Sequence, residues 1–145
     1  MIPALSADDL RATVDAIARV QAPGGCIPWV LDGKADPWNL VEAAMALDVG
    51  GRHDDAARAY AWLVEHQLPH GGWHAYYVDD VVSDSTFDTN ISAYVAVGTW
   101  HHFLSTGDHA FLAQMWPVVE AAIDHVLEFQ APTGEIAWRA DDPDD

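Results

Sequence analysis

An all-α fold, part of an α/α toroid built from paired outer and inner helices, is predicted by three observations. The first is a helix ending that occurs three times. Residues 17–29 read IARVQAPGGCIPW, residues 58–73 read RAYAWLVEHQLPHGGW, and residues 126–138 read VLEFQAPTGEIAW. In each, an apolar run leads to a Gln (Gln21, Gln67, Gln130), then a Pro two residues on, then Gly, then Trp. A unit repeated at this scale signals stacked supersecondary elements. The second is an alternation of amphipathic helices with helices that are apolar on nearly every side. The third is that each repeated ending lies between an amphipathic helix and the next apolar one, which collects those loops on one face.

The first helix is expected to start at Ser6, with Asp9 in the position of a capping-box acid, and to run to Gln21. Leu10, Val14, Ile17 and Val20 recur at helical spacing while Arg11, Asp15 and Arg19 fall elsewhere, as on an outer helix. After a Pro- and Gly-rich loop to Ala35, Asp36-Pro37 is a start signal: an N-cap acid followed by proline at the first helical position. The second helix, Pro37 to Val49, is apolar around most of its circumference and reads as an inner helix stopped by Gly50-Gly51. A third, outer helix runs from about Asp54 to Gln67, and residues 69–87 are read as a loop. The fourth, from Asp88 to Leu104, has no charged residue inside and is again inner. Asp108 caps the fifth, which continues to Gln130 with a kink expected at Pro117. A closed toroid of such repeats needs about ten to twelve helices, since each repeat is covered by its neighbours. Residues 1–145 are therefore expected to be the N-terminal portion of a single toroid domain, completed by the remaining half or by self-association.

Composition narrows the function. Half of the 145 residues are apolar and seven are Trp, so the chain can bury a core. A net charge of −17, from 23 acids and 6 bases, argues against nucleic acid or an anionic membrane as partner. The single cysteine, Cys26, leaves no intrachain disulfide and suggests a reducing, cytoplasmic setting. No stretch has the length and apolarity of a membrane span.

The candidate chemistry lies on the loop face. Trp38, Tyr76 and Tyr77 fall outside the repeated ending and are candidate substrate contacts, together with Asn39 and Asn90 near the starts of the inner helices. Aromatic walls of this kind hold an isoprenoid and shelter a carbocation, or stack on sugar rings. Trp29, Trp73 and Trp138 belong to the repeat and are assigned to bracing helix ends. The candidate catalytic carboxylates are Glu42, Asp36 and Asp88, from an acidic set that includes Asp32, Asp79, Asp80 and Asp84. Asp36 and Asp88 stand where N-caps stand. Glu42 within the apolar helix is either a buried acid with a raised pKa or a carboxylate at a solvated mouth. Asp142-Pro143-Asp144-Asp145 matches the acidic DxDD string of class II cyclases, in a terminus rich enough in Asp for chance to produce it. No metal is expected. His66, His70 and His74 are divided by Pro69 and Gly71-Gly72, and the adjacent His101 and His102 should point apart.

Two resemblances carry these observations further. Arg58-Ala59, Trp62-Leu63, Gln67, Gly71 and Trp73 resemble the QW repeat of terpenoid cyclases, which is related to repeats in protein prenyltransferase β subunits. The whole chain resembles actinobacterial prenyltransferase-like proteins. Thr106-Gly107-Asp108, Phe111-Leu112, Trp116-Pro117 and Val119 are similar to a segment of six-hairpin glycosidases. Both groups imply an α/α toroid. The first implies a prenyltransferase- or cyclase-like enzyme with an aromatic-lined axial cavity, of which this segment alone is inactive. The second implies the alternative, a glycan-processing enzyme, and a non-catalytic scaffold is the third reading. The substrate is accordingly an isoprenoid or a carbohydrate. No cofactor is expected, with Mg²⁺ only if residues outside the segment supply a diphosphate site, since Lys34 and Arg139 are the basic residues on this face.

Overall fold

In the computed structural model, which describes residues 6–140, helix α1 spans Ala7–Val20. Its capping box forms as the sequence requires: the Asp9 amide donates to Ser6 Oγ at 3.1 Å and the Ser6 amide to Asp9 Oδ2 at 2.9 Å. Helix α2 spans Pro37–Val49, the predicted limits, and α3 spans His53–His66. Leu40, Val41, Ala44 and Leu47 of α2 are fully buried. Each such leucine is worth about 1.5–3 kcal/mol relative to exposure.

The segment predicted as a loop is a β-hairpin, so the chain is mostly helical with a small sheet rather than all-α. Strand β1 (His74–Val78) pairs antiparallel with β2 (Val81–Asp88), Val78 opposite Val81. The two-residue turn is Asp79-Asp80, with φ of 49° and 62°. Two successive positive φ values are what a type I′ hairpin turn demands, and they usually select Asn or Gly. Here the Trp62 indole N–H donates to Asp80 Oδ1 at 2.7 Å and holds the turn to α3. Ala35 joins the other edge of β1 through a two-way backbone bridge with Tyr77, and the two-residue β3 (Arg139–Ala140) pairs with the end of β2.

The fourth predicted helix is two segments, α4 (Thr89–Ala93) and α5 (Val95–Thr106), meeting at Tyr94. Tyr94 keeps near-helical angles (φ −68°, ψ −18°), and its carbonyl accepts from the Val97 amide, so the axis is locally tightened rather than turned away. Helix α6, His109–Glu128, starts on Asp108 as expected and continues through Pro117 as one helix. Trp62, Trp73 and Tyr60 are the largest side chains in the core between α2, α3, α5 and α6. The inner helices are not covered all round. Val49 of α2 and Val97, Trp100 and Leu104 of α5 are exposed.

The repeated ending has one geometry in all three places. Gly25, Gly71 and Gly134 have φ of 101°, 102° and 102°. Each donates its amide to the carbonyl three residues back, and each accepts at its carbonyl from the Gln side chain four residues back. The Gln also reaches across: Gln21 Nε2 donates to the Asp55 carbonyl of α3 at 2.9 Å, and Gln67 Nε2 to the Val118 carbonyl of α6 at 2.8 Å. The tryptophans do not share this equivalence. Trp73 stands six residues after its Gln and is buried, whereas Trp29 and Trp138 stand eight after theirs and are 49% and 68% exposed. The position equivalent to Trp73 is Ile27 in the first copy and Ile136 in the third.

Candidate active site

The site is built at the start of α2. Asp36 is 2% exposed and its oxygens are committed: Oδ1 accepts from the Asn39 amide at 2.8 Å, and Oδ2 accepts from Asn39 Nδ2 at 2.8 Å and Trp29 Nε1 at 2.6 Å. This is an N-cap that also anchors an indole. The Trp29 ring meets Tyr76 edge-on at 6.0 Å, and Lys34 Nζ lies 4.2 Å from the Trp29 centroid and 3.8 Å from that of Tyr76. Cation–π attraction thus ties the 29–34 loop to β1.

One turn into α2, Trp38 and Glu42 are four apart and share a face. Both are exposed. Tyr94, at the α4–α5 junction, completes the group. Its ring meets Trp38 at 5.8 Å and an interplanar angle of 62°, and its hydroxyl is 3.4 Å from Glu42 Oε1. Of the two environments considered for Glu42, the structure selects the solvated one. Tyr94 was not among the residues singled out from the sequence. Its role depends on how α4 and α5 pack on α2, and the only local signal was an aromatic inside an uncharged helix.

The other predicted residues are placed differently. Asp88 is 8% exposed and caps α4, accepting from the Ile91 amide at 3.0 Å. Asn90 is exposed in the first turn of α4. Tyr76 is half-buried beside Lys34, but Tyr77 is core: 2% exposed, edge-on to Trp62 at 5.0 Å, its hydroxyl accepting from the His74 amide. Burial pushes the Tyr77 hydroxyl pKa up. The strand alternation explains the split, since neighbours on β1 face opposite sides. A groove of about 560 Å³ between α1 and α2 borders Trp29 and Asn39, but its lining (Ile17, Val20, Ile27, Leu31 among others) has no titratable group. Asp32, Asp79 and Asp80 border a second hollow of about 400 Å³. The DxDD string of residues 142–145 lies outside the described residues. Among the described residues no group of three or more His, Cys, Asp or Glu is arranged to hold a metal ion. Cys26 is buried and its thiol pKa is pushed up to about 12 by desolvation and then by the charge of Asp80, which keeps it an unreactive thiol.

A second polar cluster sits at the opposite end of α2. Asp48, with a fully buried side chain, has His53 Nδ1 and His102 Nδ1 each 2.9 Å from Oδ1, and His101 Nδ1 3.7 Å from Oδ2. The expectation that His101 and His102 point apart is corrected here. Adjacent helical positions differ by about 100°, and a carboxylate approached from two sides spans that gap.

No family model matches the chain. Over 134 residues it is 48% identical to the MMP endo-(1,4)-3-O-methyl-alpha-D-mannosidase of Mycolicibacterium hassiacum, an alignment covering 92% of this chain and 37% of that protein. The chain therefore spans a little over a third of the curated relative's length. Among solved structures it is similar to cellobiose 2-epimerase from Bacillus thermoamylovorans, with a TM-score of 0.65, 16% identity, and 93% of this chain and 44% of that one covered. It is also similar to a sugar epimerase from a ruminal bacterium, with a TM-score of 0.68, 14% identity, and 93% and 39% covered. At such identities the likeness to the epimerases is one of fold, and it extends over part of a larger helical toroid. These findings correct the leading expectation: they support the six-hairpin glycosidase resemblance and give none to a prenyltransferase or terpenoid cyclase. No helix among the described residues is long and apolar enough to cross a membrane.

Proposed function

We propose that the chain is part of a cytoplasmic carbohydrate-active enzyme, a glycosidase-like α/α toroid that cleaves α-linked, O-methylated mannose oligosaccharides. The observation that carries this reading is the 48% identity to the methylmannosidase across nearly the whole chain. The site chemistry agrees with it. Trp38 and Tyr94 present aromatic faces on which a pyranose ring stacks, and Glu42 stands beside them, open to solvent and able to exchange a proton. Glycoside hydrolysis needs a second carboxylate across the cleaved bond. Asp36 and Asp88 are held as helix caps, so in this reading the second carboxylate comes from the rest of the toroid. In this reading the exposed Asn39 and Asn90 bind sugar hydroxyls.

The test uses the full-length protein with a 1,4-linked 3-O-methyl-α-mannose oligosaccharide, following chain shortening by mass spectrometry. Internal cleavage supports the proposal, and Glu42→Gln should reduce the rate by about 10²-fold or more, the scale of a lost general acid or base. Absence of cleavage, with cellobiose converted instead to its 2-epimer, would replace hydrolysis by epimerisation on the same fold. Full activity in the Glu42→Gln protein would move the chemistry to other carboxylates.

A further inference from the structure

Three copies of the Gln–Gly turn share one backbone geometry, but among the described residues only two have a helix seated against them. In the first, Gln21 donates to the Asp55 carbonyl, and a Cβ built on Gly25 would come within 2.2 Å of the Arg58 carbonyl oxygen. In the second, Gln67 donates to the Val118 carbonyl, and a Cβ on Gly71 would come within 2.2 Å of the Ala121 carbonyl oxygen. The two carbonyls are three residues apart in both cases. The residue four after the first carbonyl is Ala in both, Ala59 and Ala122, each 0% exposed. This is a socket: a Gln donor and a side-chain-free glycine that admit the backbone of the next outer helix at van der Waals distance.

In the third copy Gln130 makes the same local bond to Gly134 at 2.7 Å, yet a Cβ on Gly134 meets nothing within 4 Å among the described residues. Gly25 and Gly71 are buried and Gly134 is exposed. Ile136, the counterpart of buried Ile27 and Trp73, is 36% exposed. We infer that the Gln130–Gly134 turn is the docking site for one further outer helix, contributed by the full-length polypeptide itself. That helix presents backbone carbonyls n and n+3 to Gln130 and Gly134 and carries a small residue at n+4. The polypeptide is the occupant because both filled sockets take the next outer helix along the same chain, and because the chain spans only 37% of its methylmannosidase relative. The inference rests on the fold and is independent of the sugar chemistry.

The test is a glycine series in the full-length protein, read to its natural stop codon. Gly25, Gly71 and Gly134 have the same φ, so Gly→Ala imposes the same backbone strain at each and differences report the contact. Gly51→Ala and Gly107→Ala, with open space around them and φ of 77° and 69°, close to the left-handed region that L-residues tolerate, give a contact-free lower limit on that strain. Gly134→Ala should lower the melting midpoint as far as Gly71→Ala in the full-length protein, and by clearly less than Gly71→Ala in the 145-residue chain, where only the strain remains. If Gly71→Ala does not fold, the milder Gln67→Ala and Gln130→Ala pair makes the same comparison. Gly134→Ala lowering the midpoint no further in the full-length protein than in the 145-residue chain overturns the inference, as does a stop codon directly after codon 145. A 145-residue dimer dissolved by Gly134→Ala also overturns it, by making a second copy the occupant.

Discussion

Helix α2 carries a buried carboxylate at each end, and the two are satisfied by different means. At the N-terminus Asp36 accepts from a backbone amide, an amide side chain and an indole, all neutral donors, and the helix dipole favours its charge. At the C-terminus the dipole opposes Asp48, and the groups around it are imidazoles from α3 and α5. Burial pushes the Asp48 pKa up, but hydrogen bonds from His102 and His53, aided by their charge, outweigh it and hold the carboxyl below its ordinary value. The difference separates two jobs. The N-terminal end supports an acid without cationic partners, which leaves the neighbouring surface of Trp38 and Glu42 free for a ligand. The C-terminal end is a bolt joining α2, α3 and α5.

The sharpest test of that division is Asp48→Ala. It leaves His102, whose side chain is 4% exposed, without its buried partner. Removing the carboxylate acceptor of these buried hydrogen bonds costs about 1.5–3 kcal/mol, to be read from urea unfolding at pH 7. A loss smaller than that of Asp36→Ala would reverse the assignment of the two ends.

A pH dependence is expected from the C-terminal end. A carboxyl whose folded pKa lies below its unfolded value, about 3.9, contributes stability that is fully present above that value and is lost as pH falls through the folded pKa. The stability gap between the native protein and Asp48→Asn should therefore narrow as pH falls below about 4. A gap that stays constant down to acid unfolding would mean that the carboxylate charge contributes nothing to the bolt.

Asp36→Ala should cost less, about 1–2 kcal/mol for a lost N-cap, because Trp29 is half exposed and its indole N–H can turn to water. Asp36→Asn should recover most of the loss, since Asn caps nearly as well. Failure of Asn to rescue would show that the charge, and not the cap geometry, is what the start of α2 requires.

What could be read from the sequence divides along the same line between local and long-range chemistry. Ser6 with Asp9, Asp36-Pro37, and Gly50 set helix limits through neighbours within a turn, and the structure places the ends there. The β-hairpin was not legible because its turn uses Asp79-Asp80, which becomes favourable only once Trp62, 18 residues earlier, donates to Asp80. The equivalence of the three Gln–Gly turns was visible, whereas the Trp residues, six or eight positions after their Gln, fall at different places in the turn. At the site, Trp38 and Glu42 could be paired by helical periodicity, whereas Tyr94 could not, since its contact with them crosses 52 residues of chain. The Asp48 cluster escaped for the same reason: His102 lies 54 residues away.

The smallest expected effect on stability is the one that bears most on function. Glu42 is exposed, and its contact with the Tyr94 hydroxyl is long at 3.4 Å, so Glu42→Gln should leave the unfolding midpoint unchanged. Trp38→Ala removes a ring that is 39% exposed and packs edge-on against Tyr94, and should cost stability only slightly more. If both variants of the full-length protein keep their midpoint while oligosaccharide cleavage fails, these residues are retained for chemistry at the open end of α2. A Trp38→Ala protein that loses binding and a Glu42→Gln protein that loses rate alone would divide the roles further, sugar platform against proton donor. Should Glu42→Gln instead lower the midpoint while cleavage persists, the Glu42–Tyr94 contact is a tie between α2 and the α4–α5 junction, and both ends of α2 serve the architecture.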